Sequence, residues 1–260
     1  MIGTTSTDSA GMSIADTKTM TKLYSFRVGA ALCALALAMT PLGWSQSPRV
    51  SLHVHVTRQS QETGAQPSSA EVVAWLTPAQ KGTLPPVVHK SEQFTLAQKN
   101  KQFVPHLLLV PVGSIVEFPN LDPFFHNVFS LFNGKRFDLG LYEGHTQRSV
   151  LFDREGISYI FCNIHPEMGA VVISLSTPYY GISSSDGSVI LHDVPPGRYR
   201  LHVWAENVPV DRLDALSRIV ETAGQNTDLG ELSLQITGSL IKHHENKFGE
   251  SYTPVPKDPY

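Results

Sequence analysis

One short run of this 260-residue chain, YIFCNIHPEMGAVVI, sets a thiol, an imidazole and a thioether at intervals of three: Cys162, His165 and Met168. These are soft to borderline donors, a set suited to copper. A trigonal copper site takes two histidines and one cysteine in a plane, with a weak and distant axial methionine. The run supplies three of those four donors. The fourth has to come from a neighbouring strand, and His126 in FPNLDPFFHNVFS stands at the start of one, after a proline-containing turn. Each residue has a plainer explanation when taken alone. A cysteine at a strand end is commonly a buried hydrophobe, a histidine a hydrogen-bonded surface group, a methionine core filler. Order and spacing together favour the metal.

Donors drawn from two places need a rigid frame, and the surrounding sequence predicts one made of strands. KQFVPHLLLVPVGSIVEFPN, HNVFSLF, RSVLFD, ISYIFC and AVVISLS follow one another with turn residues between them, at Val112–Gly113–Ser114, Asn133–Gly134 and Glu155–Gly156. Short β runs at close intervals without a helical period predict an all-β sandwich. Before them, RVSLHVHVTRQ alternates as a half-buried strand does, and AEVVAWLTP reads as the next. After them, SSSDGSVILHDVPPGRYRLHVWAE gives two strands, with Asp186–Gly187 as a tight turn and Pro195–Pro196–Gly197 as the link. RLDALSRIVETA fits a short helix by charge spacing, while its second half fits a strand equally well. DLGELSLQIT alternates again.

The segment from about residue 94 to 175 resembles the cupredoxins, the family of plastocyanin and amicyanin. The resemblance rests on C-x2-H-x2-M at 162–168, on HNV at His126 and on the long opening strand pair. It implies a Greek-key sandwich holding one type 1 copper ion, with His126, Cys162 and His165 equatorial and Met168 axial. It also implies that the Asn127 side chain ties the cysteine loop to the neighbouring strand. Phe161, with Phe124, Phe125 and Ile164, is expected to wall the metal with apolar atoms. The flanking sequence, DGSVILHDVPPGRYRL above all, resembles carboxypeptidase regulatory-like sandwiches. The organisation expected is therefore a cupredoxin domain over 91–177, inserted in or fused to a second small β-sandwich made of 48–90 plus 178–240. An extension over 1–46 precedes them, and a loose tail over 241–260 follows.

A net charge of −3 and a pI near 6.4 argue against nucleic acid as a partner. An enzyme is not expected either. Multicopper oxidases and reductases place a histidine beside the cysteine, and here the neighbours are Phe161 and Asn163. A closed four-donor site also offers no position to a substrate. His53 and His55 share one strand face and read as a solvent-facing pair, as do His243 and His244. His106, His145, His192 and His202 lie scattered without partner spacing.

The run MTKLYSFRVGAALCALALAMTPLGWSQS, with Lys22 and Arg27 before a short apolar core, has the pattern of a secretory signal starting at Met20 or Met12. Cys33 follows a leucine, so lipidation is not expected. No membrane span is expected in the mature form. Two functions follow. One is an exported, periplasmic one-electron carrier working with a redox protein such as a dehydrogenase or cytochrome. The other is a non-redox copper-delivery module that docks through its second sandwich.

Overall fold

The computed structural model describes residues 48–58, 71–80, 93–131, 134–236 and 245–252. The signal-like run and His243–His244 lie outside them. Two strands open the fold, β1 (Arg49–Arg58) and β2 (Val72–Pro78). Three short pieces follow, β3 (Phe94–Thr95), β4 (Ala97–Lys99) and β5 (Gln102–Val104). Next come β6 (Leu107–Pro111), β7 (Ser114–Pro119), β8 (His126–Ser130) and β9 (Phe137–Tyr142). Then run β10 (Gln147–Phe152), β11 (Gly156–Phe161) and β12 (Gly169–Leu175). The chain ends in β13 (Tyr180–Ile182), β14 (Ser188–His192), β15 (Gly197–Ala205), α1 (Val210–Leu216), β16 (Arg218–Thr222) and β17 (Thr227–Ile236). The expected all-β character holds. RLDALSRIVETA satisfies both of its readings in turn, the helix α1 giving way at Ser217 to β16.

Strands from 94–175 form one sandwich. Its five-stranded sheet has the order β6-β12-β11-β8-β9, and β10-β7-β3 covers it. Leu96, Val110, Val116, Phe118, Val128, Phe152, Ile160 and Val172 fill the space between. β8 and β11 are antiparallel neighbours with Phe129 opposite Phe161. That register sets His126, at the start of β8, level with the loop that leaves β11 at Cys162.

Strands from 49–78 and 180–236 make two further sheets, β14-β1-β17 and β13-β2-β15-β16. Their core does not stop at its own edge. Leu107, Val171, Ile173 and Leu175, from β6 and β12, belong to it together with Val73, Leu76, Val203 and Trp204. β12 therefore gives Ala170 and Val172 to one core and Val171, Ile173 and Leu175 to the other. Every one of its residues is buried. This explains why GAVVISL runs apolar without alternation, as a strand covered on both faces does.

Candidate metal centre

Cys162 directly follows β11, and its loop is closed by its own backbone. The Met168 N–H donates to the His165 carbonyl at 3.0 Å, and the Cys162 N–H to the Met168 carbonyl at 3.3 Å. His165 is thereby held at the bend, facing His126 across the strand pair. Cys162 Sγ lies 3.8 Å from His126 Nδ1 and 3.6 Å from His165 Nδ1, and the two Nδ1 atoms are 3.1 Å apart. Among the described residues this is the one group of three or more histidine, cysteine or acidic side chains able to share an ion. Ligand bonds of about 2.0–2.3 Å set donors around one ion roughly 3.3–3.8 Å from each other. Both sulfur–nitrogen edges meet that range, and the nitrogen–nitrogen edge is slightly shorter. Met168 is fully buried in the same core as Cys162.

The orientation of His126 has a cause that the sequence reading missed. Its Nε2 lies 2.9 Å from Asp122 Oδ2, with both side chains buried. Burial alone works against the Asp122 carboxylate. The Lys101 and Asn100 N–H groups and the His126 ring outweigh it, holding its pKa below the ordinary range. An ionised carboxylate can only accept, so the proton sits on Nε2 and the Nδ1 lone pair faces Cys162 and His165. The two N–H groups come from the β4–β5 turn, where Asn100 and Lys101 both adopt positive φ, 55° and 56°. They donate to Asp122 at 2.6 and 2.9 Å. Gly144 presses on the same loop from the other side: a Cβ there would stand 2.2 Å from the Asp122 carbonyl oxygen. The available signal was an aspartate four residues before the histidine, in LDPFFH. A carboxylate behind a ligating imidazole fixes its tautomer and raises its basicity.

Burial pushes the Cys162 thiol up, against backbone N–H groups of Asn127, Ile164 and His165 directed at the sulfur. Burial, with His126 beside it, pulls His165 down, so its imidazole is neutral at neutral pH. The site therefore gathers a thiol and two ring nitrogens in an apolar pocket. That donor set suits a soft or borderline cation and releases a proton when one binds.

Two expected neighbours act differently from their assigned roles. The Asn127 side chain does not reach the cysteine loop. Its Nδ2 donates to Asp138 Oδ1 on β9 at 2.8 Å, and only its backbone N–H serves the sulfur. Phe161 precedes Cys162 and so turns to the opposite face of β11, where its ring lies 6.0 Å from Phe129. The aromatic wall is Phe124 instead, 5.2 Å from the His126 ring and 5.8 Å from that of His165. Phe125 is 52% exposed, and Ile164 also faces outward.

The tail, expected to be loose over 241–260, is anchored across 245–252. The Asn246 carboxamide oxygen accepts from the Phe248 and Glu250 N–H groups and closes a turn. Tyr252 Oη then donates to the Cys162 carbonyl at 2.8 Å. Polar composition misled the reading, because these contacts are hydrogen bonds to the loop and need no apolar run.

Among the described residues, the other histidines gather no metal-ligating group. His53 and His55 stack edge to face at 4.8 Å, one beside Ser188 and the other beside Glu231. His202 stacks on Trp75 and bonds Thr77. His106 links the start of β12 to the residue after β15, with Nδ1 at 3.1 Å from the Gly169 carbonyl and Nε2 at 2.7 Å from Glu206.

No family model matches the chain, and no curated protein matches it. Solved structures do. A purple cupredoxin from Nitrosopumilus maritimus matches at 22% identity over 32% of this chain and 100% of its own, with a TM-score of 0.29. Amicyanin from Paracoccus versutus matches at 17% identity over 38% of this chain and 97% of its own, with a TM-score of 0.30. A copper-containing nitrite reductase from Thermus scotoductus SA-01 matches at 22% identity over 46% of this chain, with a TM-score of 0.31. This chain spans only 28% of that enzyme.

Proposed function

We propose that this chain is an exported one-electron carrier that would hold a single copper ion through His126, Cys162, His165 and Met168. What carries the reading is the convergence of one sulfur and two ring nitrogens within 3.1–3.8 Å, with the tautomer of one histidine set by a buried carboxylate. A bound copper ion would supply the one-electron couple; everything else is the work of side chains already in place. The antiparallel register of β8 and β11 fixes one donor at the start of a strand and another directly after one, where little can move when charge changes. Phe124 and the surrounding core keep water away from the thiolate. Four protein donors would leave a substrate no position on the ion, which supports a carrier over catalysis at the metal.

His165 is half-buried, and Leu121, Phe125 and Ile164 expose apolar surface on the loops that carry the histidines. A redox protein partner would dock there. The test is the absorption and electron spin resonance spectrum of the copper-loaded protein. An intense visible band from sulfur-to-copper charge transfer is expected, lost in Cys162→Ser while the fold survives. A colourless protein that takes up and releases Cu(I) would overturn the carrier and favour delivery.

A further inference from the structure

The segment 245–252 touches the cysteine loop at several points, and the metal-centre reading gives it no task. Tyr252 Oη donates to the Cys162 carbonyl at 2.8 Å. The Lys247 N–H donates to Asn163 Oδ1, on the next residue, at 3.0 Å. Lys247 Nζ lies 2.8 Å from Asp138 Oδ2, and the other oxygen of that carboxylate accepts from Asn127 Nδ2 at 2.8 Å. Asn127 in turn directs its backbone N–H at the Cys162 sulfur. A closed circuit results. From the tail, one arm runs through Tyr252 to the backbone of Cys162. The other runs through Lys247, Asp138 and Asn127 to its sulfur.

We propose that Tyr252 and Lys247 are positioning residues that clamp the Cys162–Met168 loop, holding the cysteine in its donor geometry before any metal binds. This rests on the reading of 126, 162 and 165 as one metal centre, and it adds a part of the chain distant in sequence from that centre. The loop's own closure is thin. Two backbone bonds span it, one of them at 3.3 Å. Local segments held by few bonds open without global unfolding, so bonds from outside set how often this loop opens. Tyr252 and Lys247 supply those bonds without entering the metal pocket.

The prediction is tested on the full chain in a Cys33→Ser background, metal-free and reduced. The rate at which dithiobis(nitrobenzoate) modifies Cys162 is the readout. That thiol is fully buried, so the reagent reaches it through loop opening. Losing one such hydrogen bond is expected to raise the rate about fivefold in Tyr252→Phe and about as much in Lys247→Met. The thermal midpoint should stay at the parent's value. Parental rates in both variants would overturn the proposal. So would a rise that only tracks a fall in global stability, since that is what a merely structural tail produces. In the copper-loaded protein the same variants should shift the hyperfine splitting of the resonance spectrum. Responsive thiol rates together with a colourless parent would overturn the electron-carrier reading and leave the clamp standing.

Discussion

Replacing Asp122 by asparagine tests the geometry of the centre at its least expected part. The carboxylate takes Asn100 N–H on Oδ1, and Lys101 N–H and His126 Nε2 on Oδ2. Asparagine keeps the shape but carries one acceptor and one donor. With its oxygen toward His126 and Lys101, its amino group meets the Asn100 N–H, which is left without an acceptor. Turned the other way, two groups lose theirs, so the first arrangement costs less. One buried N–H left unsatisfied costs about 1–3 kcal/mol, and the two surviving bonds to a neutral acceptor have roughly half their former strength. Together these predict a loss of about 2–4 kcal/mol in Asp122→Asn. A domain of ordinary stability survives that.

Copper affinity should fall roughly 10–100-fold as well, because the proton on His126 Nε2 is no longer held by a charge. Urea unfolding of the metal-free protein measures the first quantity, and competition against a chelator of known Cu(I) affinity measures the second. Parental stability together with affinity within about twofold would refute the argument, since Asp122 would then orient nothing. The acid limb gives a further check with a definite sign. The folded pKa of Asp122 is depressed, so its contribution is present above the ordinary value of 3.8 and is lost as pH falls through the folded value. The variant should therefore lose part of the parent's acid sensitivity.

Gly144→Ala should reach the same residue by another route, pushing on the Asp122 backbone, and should lower copper affinity without altering any donor. Met168→Gln should keep copper bound while shifting the reduction potential, measured by redox titration; an unmoved potential would remove Met168 from the site. The His106–Glu206 contact raises the His106 pKa above 6.5, chiefly through their hydrogen bond. Its contribution is complete below pH 6.5 and disappears as pH rises through the folded value. The pair is partly exposed, so less than about 1 kcal/mol is expected. The thermal midpoint should decline over that window in the parent and not in His106→Gln. Ile173→Ala, on the β12 face packed with the flanking strands, should cost about 2–4 kcal/mol. Thiol exposure and tryptophan fluorescence should still report one transition.

How much of this was legible in the sequence depends on the kind of interaction. The strands with strong alternation or apolar runs, β1, β2, β7, β11, β12 and β15, were plain, because burial of one or both faces writes itself into the residue pattern. β9 was not seen. It reads FDLGLY, carries Gly140 at a φ of 67° and exposes Leu141, so no face of it is cleanly apolar. The group His126, Cys162 and His165 was readable from spacing on one loop and one strand start. Asp122, Tyr252 and Lys247 were not, because a hydrogen bond needs only one polar atom in the right place and leaves no period behind. Asn127 shows the same limit from the other side. Which of its own atoms would face the sulfur depended on where Asp138 lay.

The flanking strands gain a physical reason from β12. In a free-standing sandwich the outward residues of this sheet would face water. Here Leu107, Val171, Ile173 and Leu175 stand together on that face, all buried against Val73, Leu76 and Val203. Burying one such side chain contributes about 1.5–3 kcal/mol, so four contribute roughly 6–12 kcal/mol. That equals the whole stability of a typical domain. A contiguous patch of this kind, left open, is an aggregation surface. The sheet that carries His126 on β8 and leads into Cys162 from β11 is thus covered from behind by the flanking strands, and His106 ties the start of β12, one residue after Met168, to Glu206 across the same boundary. The frame of the candidate metal centre is thus built from both halves of the chain.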